Sequence, residues 1–130
     1  MARRILIVED EPAFAEVLAE LLVDEGYSVL CVGDAVSALN LLSAGPRRQL
    51  DMVICDVMLP GLRGDRFAAE VRKRYPTRRL PILLMSASAA PVLGLPEVAF
   101  MAKPFDSDDL LQRLEDMLSQ AARPGVVPAS

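Results

Sequence analysis

Ile5-Leu6-Ile7-Val8-Glu9-Asp10-Glu11-Pro12-Ala13-Phe14 is the stretch whose reading decides the fold. Four uninterrupted apolar residues, three of them β-branched, read as a strand buried on both faces rather than a half-solvated ribbon. Three acids follow at once. Pro12 then suits the first helical position, and Phe14, Val17, Leu18, Leu21 and Leu22 keep helical spacing up to Gly26, a glycine placed where helices end. The unit is strand, acidic turn, helix.

The same alternation continues outward. Further apolar runs lie at Val29-Leu30-Cys31-Val32, Met52-Val53-Ile54-Cys55, Ile82-Leu83-Leu84-Met85 and Val98-Ala99-Phe100-Met101. Between them, Ala38, Leu39 and Leu42 predict a second helix ended by Gly45-Pro46. Phe67, Val71 and Tyr75 predict a third that stops before Pro76, and Leu110, Leu111, Leu114, Met117 and Leu118 predict a last one, with Asp106 as its cap. Strands alternating with helices imply an α/β fold with a parallel sheet. Residues 1–121 form one domain in this reading. Residues 122–130, with Pro124, Gly125 and Pro128 and no periodicity, read as a flexible tail or the start of a linker.

Composition narrows the function classes. Of the 130 residues, 52% are hydrophobic and 25% charged, as in ordinary globular domains, and the net charge of -4 argues against direct nucleic-acid binding. No stretch is long enough to span a membrane, and the apolar run after Arg3-Arg4 is too short for an export signal, so a cytoplasmic location is expected. Histidine is absent. That excludes a His-based triad, a His metal site and self-supplied phosphohistidine chemistry. Cys31 and Cys55, each inside an apolar run, read as buried core thiols.

In open parallel sheets, ligands bind beyond the carboxyl ends of the strands. Those ends carry Glu9-Asp10-Glu11, Asp56, Ser86 and Lys103. A single acid after a strand is ordinarily a turn residue or helix cap. Several acids brought together are different, since a like-charged pair at about 4 Å costs roughly 4 kcal/mol at an effective dielectric near 20. A hard divalent cation with oxygen ligands, Mg²⁺ before Ca²⁺ or Mn²⁺, would offset that repulsion. Asp56 could then attack a phosphorus atom, with Lys103 neutralising the equatorial oxygens and Ser86 donating a hydrogen bond.

Taken together, Val8-Glu9-Asp10-Glu11-Pro12, Asp56-Val57-Met58-Leu59-Pro60-Gly61 with Gly64, Met85-Ser86-Ala87 and Lys103-Pro104-Phe105 resemble the motifs of response-regulator receiver domains, in the family's order. The resemblance runs from residue 3 to about residue 120. It implies a doubly wound, flavodoxin-like five-stranded sheet of order 2-1-3-4-5 with helices on both faces. It further implies Asp56 as phosphoacceptor, Asp10 as a direct metal ligand, Glu9 acting mainly through metal-bound water, and the Met58 backbone carbonyl as a further ligand. Ser86 would be the switch hydroxyl, Lys103 the phosphate-pairing lysine and Phe100 the aromatic switch residue. The implied cofactor is Mg²⁺, and the implied phosphodonors are a sensor histidine kinase, a phosphotransfer protein or a small molecule. Such a chain is not an enzyme in the turnover sense, although it assists its own phosphorylation and dephosphorylation. With this strand order Cys31 and Cys55 would stand roughly 9 to 10 Å apart, beyond the reach of a disulfide.

One interval departs from the family. Only sixteen residues separate Ser86 from Lys103, and Pro91, Gly94 and Pro96 interrupt them, so a short or missing fourth helix is expected. The output face that the family builds there is altered, and Val92, Leu93 and Leu95 become candidates for self-association or effector binding, against ordinary packing on the sheet. Two other function classes compete. An aspartyl phosphatase would place a second acid two residues after Asp56, where Met58 stands, and a flavin site would not follow strand one with three acids. A phosphorylation-independent interaction module on the same fold is the third class. Since the first strand follows Met1 closely, the chain is expected to be the amino-terminal part of its protein, either free-standing or joined to an output domain.

Overall fold

The computed structural model describes residues 2–44, 49–76, 79–88 and 94–121. Five strands, β1 (Arg4–Val8), β2 (Ser28–Val32), β3 (Met52–Asp56), β4 (Ile82–Ser86) and β5 (Val98–Ala102), form one sheet of order β2-β1-β3-β4-β5. Every pairing is parallel, with Ile7 opposite both Cys31 and Ile54, and Asp56 opposite Met85. Helices α1 (Pro12–Asp24), α2 (Ala35–Leu42), α3 (Gly64–Arg74) and α4 (Ser107–Ala121) cover the two faces.

The continuous apolar runs are explained by that double cover. In β1, Leu6 and Val8 join a core with α2 and α3 that includes Leu39, Phe67 and Val71. Ile5 and Ile7 join the opposite core with α1 and α4, which includes Leu18, Leu22, Leu110 and Leu114. Alternate residues therefore enter different cores, and none can be polar.

Burial on both faces holds for β1, β3 and β4 but fails for β2 and β5, whose residues are half-buried or exposed. Both are edge strands, with a neighbour on one side only. Cys31 in β2 is consequently exposed, which corrects its expected place in the core, whereas Cys55 in β3 is buried; both thiols are free.

Local chemistry accounts for the helix ends. Pro12 opens α1, and Gly26 follows its end at φ 95, a left-handed conformation that glycine adopts without strain. Asp34 caps α2 by accepting from the Ser37 backbone N–H at 2.7 Å, a cap not anticipated from the sequence. That helix stops at Leu42, before Gly45-Pro46, which lie outside the described residues. Helix α3 ends before Pro76, as expected. Asp106 accepts from the Asp108 N–H at 3.0 Å at the start of α4.

No helix occurs between β4 and β5 among the described residues of that interval, consistent with the expected short or missing fourth helix. Val92 and Leu93 lie outside the described residues, while Leu95 is half-buried against the α2 and α3 core. The approach to β5 is tied down by Arg72 of α3. Its guanidinium donates to the carbonyls of Pro96 at 2.7 Å, Leu80 at 2.5 Å and Glu97 at 3.2 Å.

Gly64 fixes how closely α3 approaches the end of β3. A Cβ there would overlap the backbone of Asp56 and Val57, which cannot move without shifting the strand end. Gly64→Ala is therefore expected to destabilise the fold by about 2 kcal/mol, in the range of overpacked core sites. Urea unfolding checks this: the midpoint falls with little change in slope, and an unchanged midpoint contradicts the close approach.

Candidate functional site

Because all strands run parallel, their carboxyl ends open on one edge of the sheet. Glu9 follows β1, Asp56 ends β3, Ser86 ends β4 and Lys103 follows β5. Glu9, Asp56 and Ser86 are the buried polar or charged residues among those described, at 5%, 7% and 1% exposure, so the fold concentrates its buried polarity at this edge.

Lys103 joins the two acids. Its ammonium donates to Asp56 Oδ2 at 2.7 Å and to Glu9 Oε1 at 3.4 Å. Asp56 Oδ1 accepts from the Met58 N–H at 2.9 Å, and Glu9 Oε2 accepts from the Glu11 N–H at 3.2 Å. All four carboxylate oxygens thus have a donor.

These contacts set the protonation states. Burial pushes the Asp56 carboxyl up, but hydrogen bonds from the Lys103 ammonium and the Met58 N–H outweigh it and hold the group below the usual range. Burial dominates at Glu9, which stays raised despite the Glu11 N–H and the charge of Lys103. For Lys103, burial opposes the charged form, yet the hydrogen bond to Asp56 and the charge of Glu9 prevail and raise it. At neutral pH Asp56 is an anion beside the Lys103 ammonium. Glu9 is the more easily protonated acid.

The donor set suits a hard divalent cation in kind, being oxygen only, with two carboxylates against one ammonium. Among the described residues no group of three or more His, Cys, Asp or Glu side chains is arranged to hold a metal. Glu9 and Asp56 meet at Lys103, whereas Asp10, the next residue after Glu9, is exposed to solvent. One ammonium here has two carboxylate partners, and the third acid keeps its hydration.

Other expected residues fall around this group. The Ser86 hydroxyl accepts from the Ser88 N–H at 3.0 Å, and its carbonyl accepts from the Lys103 N–H at 2.8 Å, so Ser86 walls the site without bonding to Asp56. Met58 turns its N–H to Asp56 and leaves its side chain exposed. Phe100 pairs with Leu84 inside the sheet and packs half-buried against the α2 and α3 core, outside the charged group.

A site residue that sequence reasoning treated only as core is Phe14. Its ring centroid lies 4.2 Å from the Lys103 Nζ, and it meets Phe105 edge to face at 6.2 Å and 72°. Its place in the first turn of the helix that leaves Glu9-Asp10-Glu11 was the available signal. Phe14, Ala87, Lys103, Pro104 and Phe105 line an open apolar cavity of about 300 Å³.

Residues 5–115 match the family model described as the response regulator receiver domain. Among solved structures, the receiver domain of a signal transduction histidine kinase from Syntrophus aciditrophicus is 29% identical, with a TM-score of 0.82 and 97% of each chain covered. The receiver domain of a sensor histidine kinase from Pseudomonas aeruginosa, solved with magnesium in the active site cleft, is 28% identical, with a TM-score of 0.79 over 92% of this chain and 99% of that one. A receiver domain protein from Methanospirillum hungatei, at 24% identity, shares the fold with a TM-score of 0.84 over 96% of this chain and 100% of that one.

Removing the ammonium isolates two buried acids. The lowered Asp56 contributes stability above the usual carboxylate value of 3.8 that is lost as pH falls through its folded value; the raised Lys103 contributes stability below 10.5 that is lost as pH rises through its folded value. In metal-free buffer at pH 7.5, Lys103→Met should cost about 2 kcal/mol, less than for a fully buried pair because the lysine side chain is 22% exposed. That loss should shrink toward pH 4 as Glu9 takes up a proton. Denaturant unfolding of both forms across pH measures it, and a pH-independent loss contradicts the charge balance.

Proposed function

The chain belongs to the response regulator receiver domain family, and on that premise we propose that Asp56 accepts a phosphoryl group from a partner's phosphohistidine or from a small acyl phosphate. The observation that carries this reading is the Asp56 carboxylate held anionic at a strand end by Lys103 at 2.7 Å, with a second buried acid alongside. An Asp56 oxygen forms the new O–P bond as the donor's P–N or P–O bond breaks, and the leaving imidazole or carboxylate departs with that electron pair. Lys103, freed in part from the carboxylate it now holds, pairs with the phosphoryl oxygens. The Met58 N–H keeps the carboxyl plane fixed.

Glu9, Asp10, Asp56 and the Met58 carbonyl would hold Mg²⁺, or Mn²⁺ or Ca²⁺ in its place. When bound, such an ion supplies positive charge against the phosphoryl oxygens. The magnesium described in the active site cleft of the Pseudomonas aeruginosa relative supports that choice.

In this reading the chain is a signalling acceptor rather than a turnover enzyme. A phosphoryl group of roughly -1.5 to -2 charges overturns the local balance of two acids and one ammonium. Ser86, at the end of the next strand, would follow that change, and Phe100 is the candidate aromatic that would report it. Its partners would be a sensor histidine kinase or phosphotransfer protein of the cytoplasm. No described helix is long and apolar enough to cross a membrane.

With Mg²⁺ and acetyl phosphate, intact-mass measurement should show one added phosphoryl group, labile to hydroxylamine. Chelation of the cation or Asp56→Asn should abolish it, and Asp10→Asn should slow it at least about tenfold. Failure of the unsubstituted chain to take up phosphoryl from acetyl phosphate, phosphoramidate or a phosphorylated kinase would leave a phosphorylation-independent interaction module as the better reading.

A further inference from the structure

Lysine is a poor choice for exact placement. Its ammonium is a compact, strongly hydrated charge on a stem of four carbons, and it carries about 2 kcal/mol of rotamer entropy. Here it must serve two acceptors at different distances, 2.7 Å and 3.4 Å, while its side chain is still partly in solvent. Something other than the acids has to define its position.

Phe14 supplies a third side. The ring centroid lies 4.2 Å from Nζ, well inside the distance at which an ammonium is attracted to an aromatic face. A ring face draws the cation without offering a lone pair, so it does not compete with Asp56 for the ammonium's hydrogens. Water is also kept from that side. Phe14 is itself held: it packs half-buried against the α1 and α4 core, and Phe105 meets it edge to face. Phe105 stands two residues beyond Lys103, so the segment that carries the ammonium also carries the ring that orients its cradle.

We propose that Phe14 is a positioning residue for the phosphoryl-transfer chemistry, acting through the face of its ring on the Lys103 ammonium and with Phe105 as its lateral support. The proposal rests on the reading of Asp56 as phosphoacceptor. It concerns the residue type at position 14: an aliphatic side chain of similar size would fill the same space without attracting the cation.

The experiment uses the full 130-residue chain with Mg²⁺ and acetyl phosphate. Phe14 is replaced by leucine, by tyrosine, and by mono-, di- and trifluorophenylalanine, which keep the ring's shape while draining charge from its face. Thermal unfolding of each variant identifies any that fail to fold. The expected result is a phosphorylation rate that falls stepwise with fluorination, about threefold to tenfold by the trifluoro ring or leucine, and is retained with tyrosine. The ring should also shift the NMR signals of the Lys103 ε-methylene protons upfield, a shift that Phe14→Leu removes. A rate that is flat across the fluorinated series in folded protein, or a Lys103 signal unmoved by Phe14→Leu, overturns the proposal while leaving Asp56 as acceptor. If the unsubstituted chain takes up no phosphoryl group, the Asp56 reading fails and the proposal fails with it.

Discussion

Two buried carboxylates share one ammonium at the carboxyl edge of the sheet, and the rest of the molecule can be understood as the means of holding them there. Glu9 and Asp56 come from neighbouring strands, and their mutual repulsion at contact distance is of the order of several kcal/mol. Lys103 relieves much of it and cannot relieve all of it. The residual negative charge leaves the site with an appetite for added positive charge, while Glu9 is raised toward protonation chiefly by its burial. A surface cluster would dissipate such an imbalance in water. These groups are buried, so the imbalance persists as chemistry.

The fold delivers the three groups by geometry alone. Parallel pairing puts every strand's carboxyl end on one edge, and the order β2-β1-β3-β4-β5 makes β1 and β3 immediate neighbours. The central strands are buried on both faces, which gives Asp56 a rigid base in β3. Gly64 lets α3 close against that same strand end, and the Val57 carbonyl accepts from the Gly64 N–H at 2.9 Å. On the far side Arg72 binds three carbonyls around the entry to β5, the strand that leads to Lys103. A guanidinium thus ties down a segment in which no helix is described.

Much of this was legible in the chain. Five apolar runs separated by helical spacing gave the parallel sheet, because residues that alternate between two cores leave no polar position. The residues at the strand ends gave Glu9, Asp56, Ser86 and Lys103. What remained hidden depends on contacts across the fold. The exposure of Cys31 follows from its strand lying at the sheet edge, and an apolar run does not reveal whether it has one neighbour or two. Glu9 and Asp10 are adjacent acids at one strand end, and their spacing does not reveal that Glu9 is the one of the two that pairs with Lys103. Phe14 looked like one more core position on an amphipathic helix, and its meeting with Lys103 joins residues 89 positions apart in sequence.

The most direct measurement is a crystal structure of the chain grown with Mn²⁺, with the ion located by its anomalous scattering. The expected result is one strong peak at the strand ends, bonded to carboxylate oxygens of Asp56 and Asp10, with Lys103 Nζ still within hydrogen-bond reach of Asp56. A peak remote from Asp56, no peak at saturating Mn²⁺, or a Lys103 side chain turned away from Asp56 would contradict a cation-dependent acceptor site built on this shared charge.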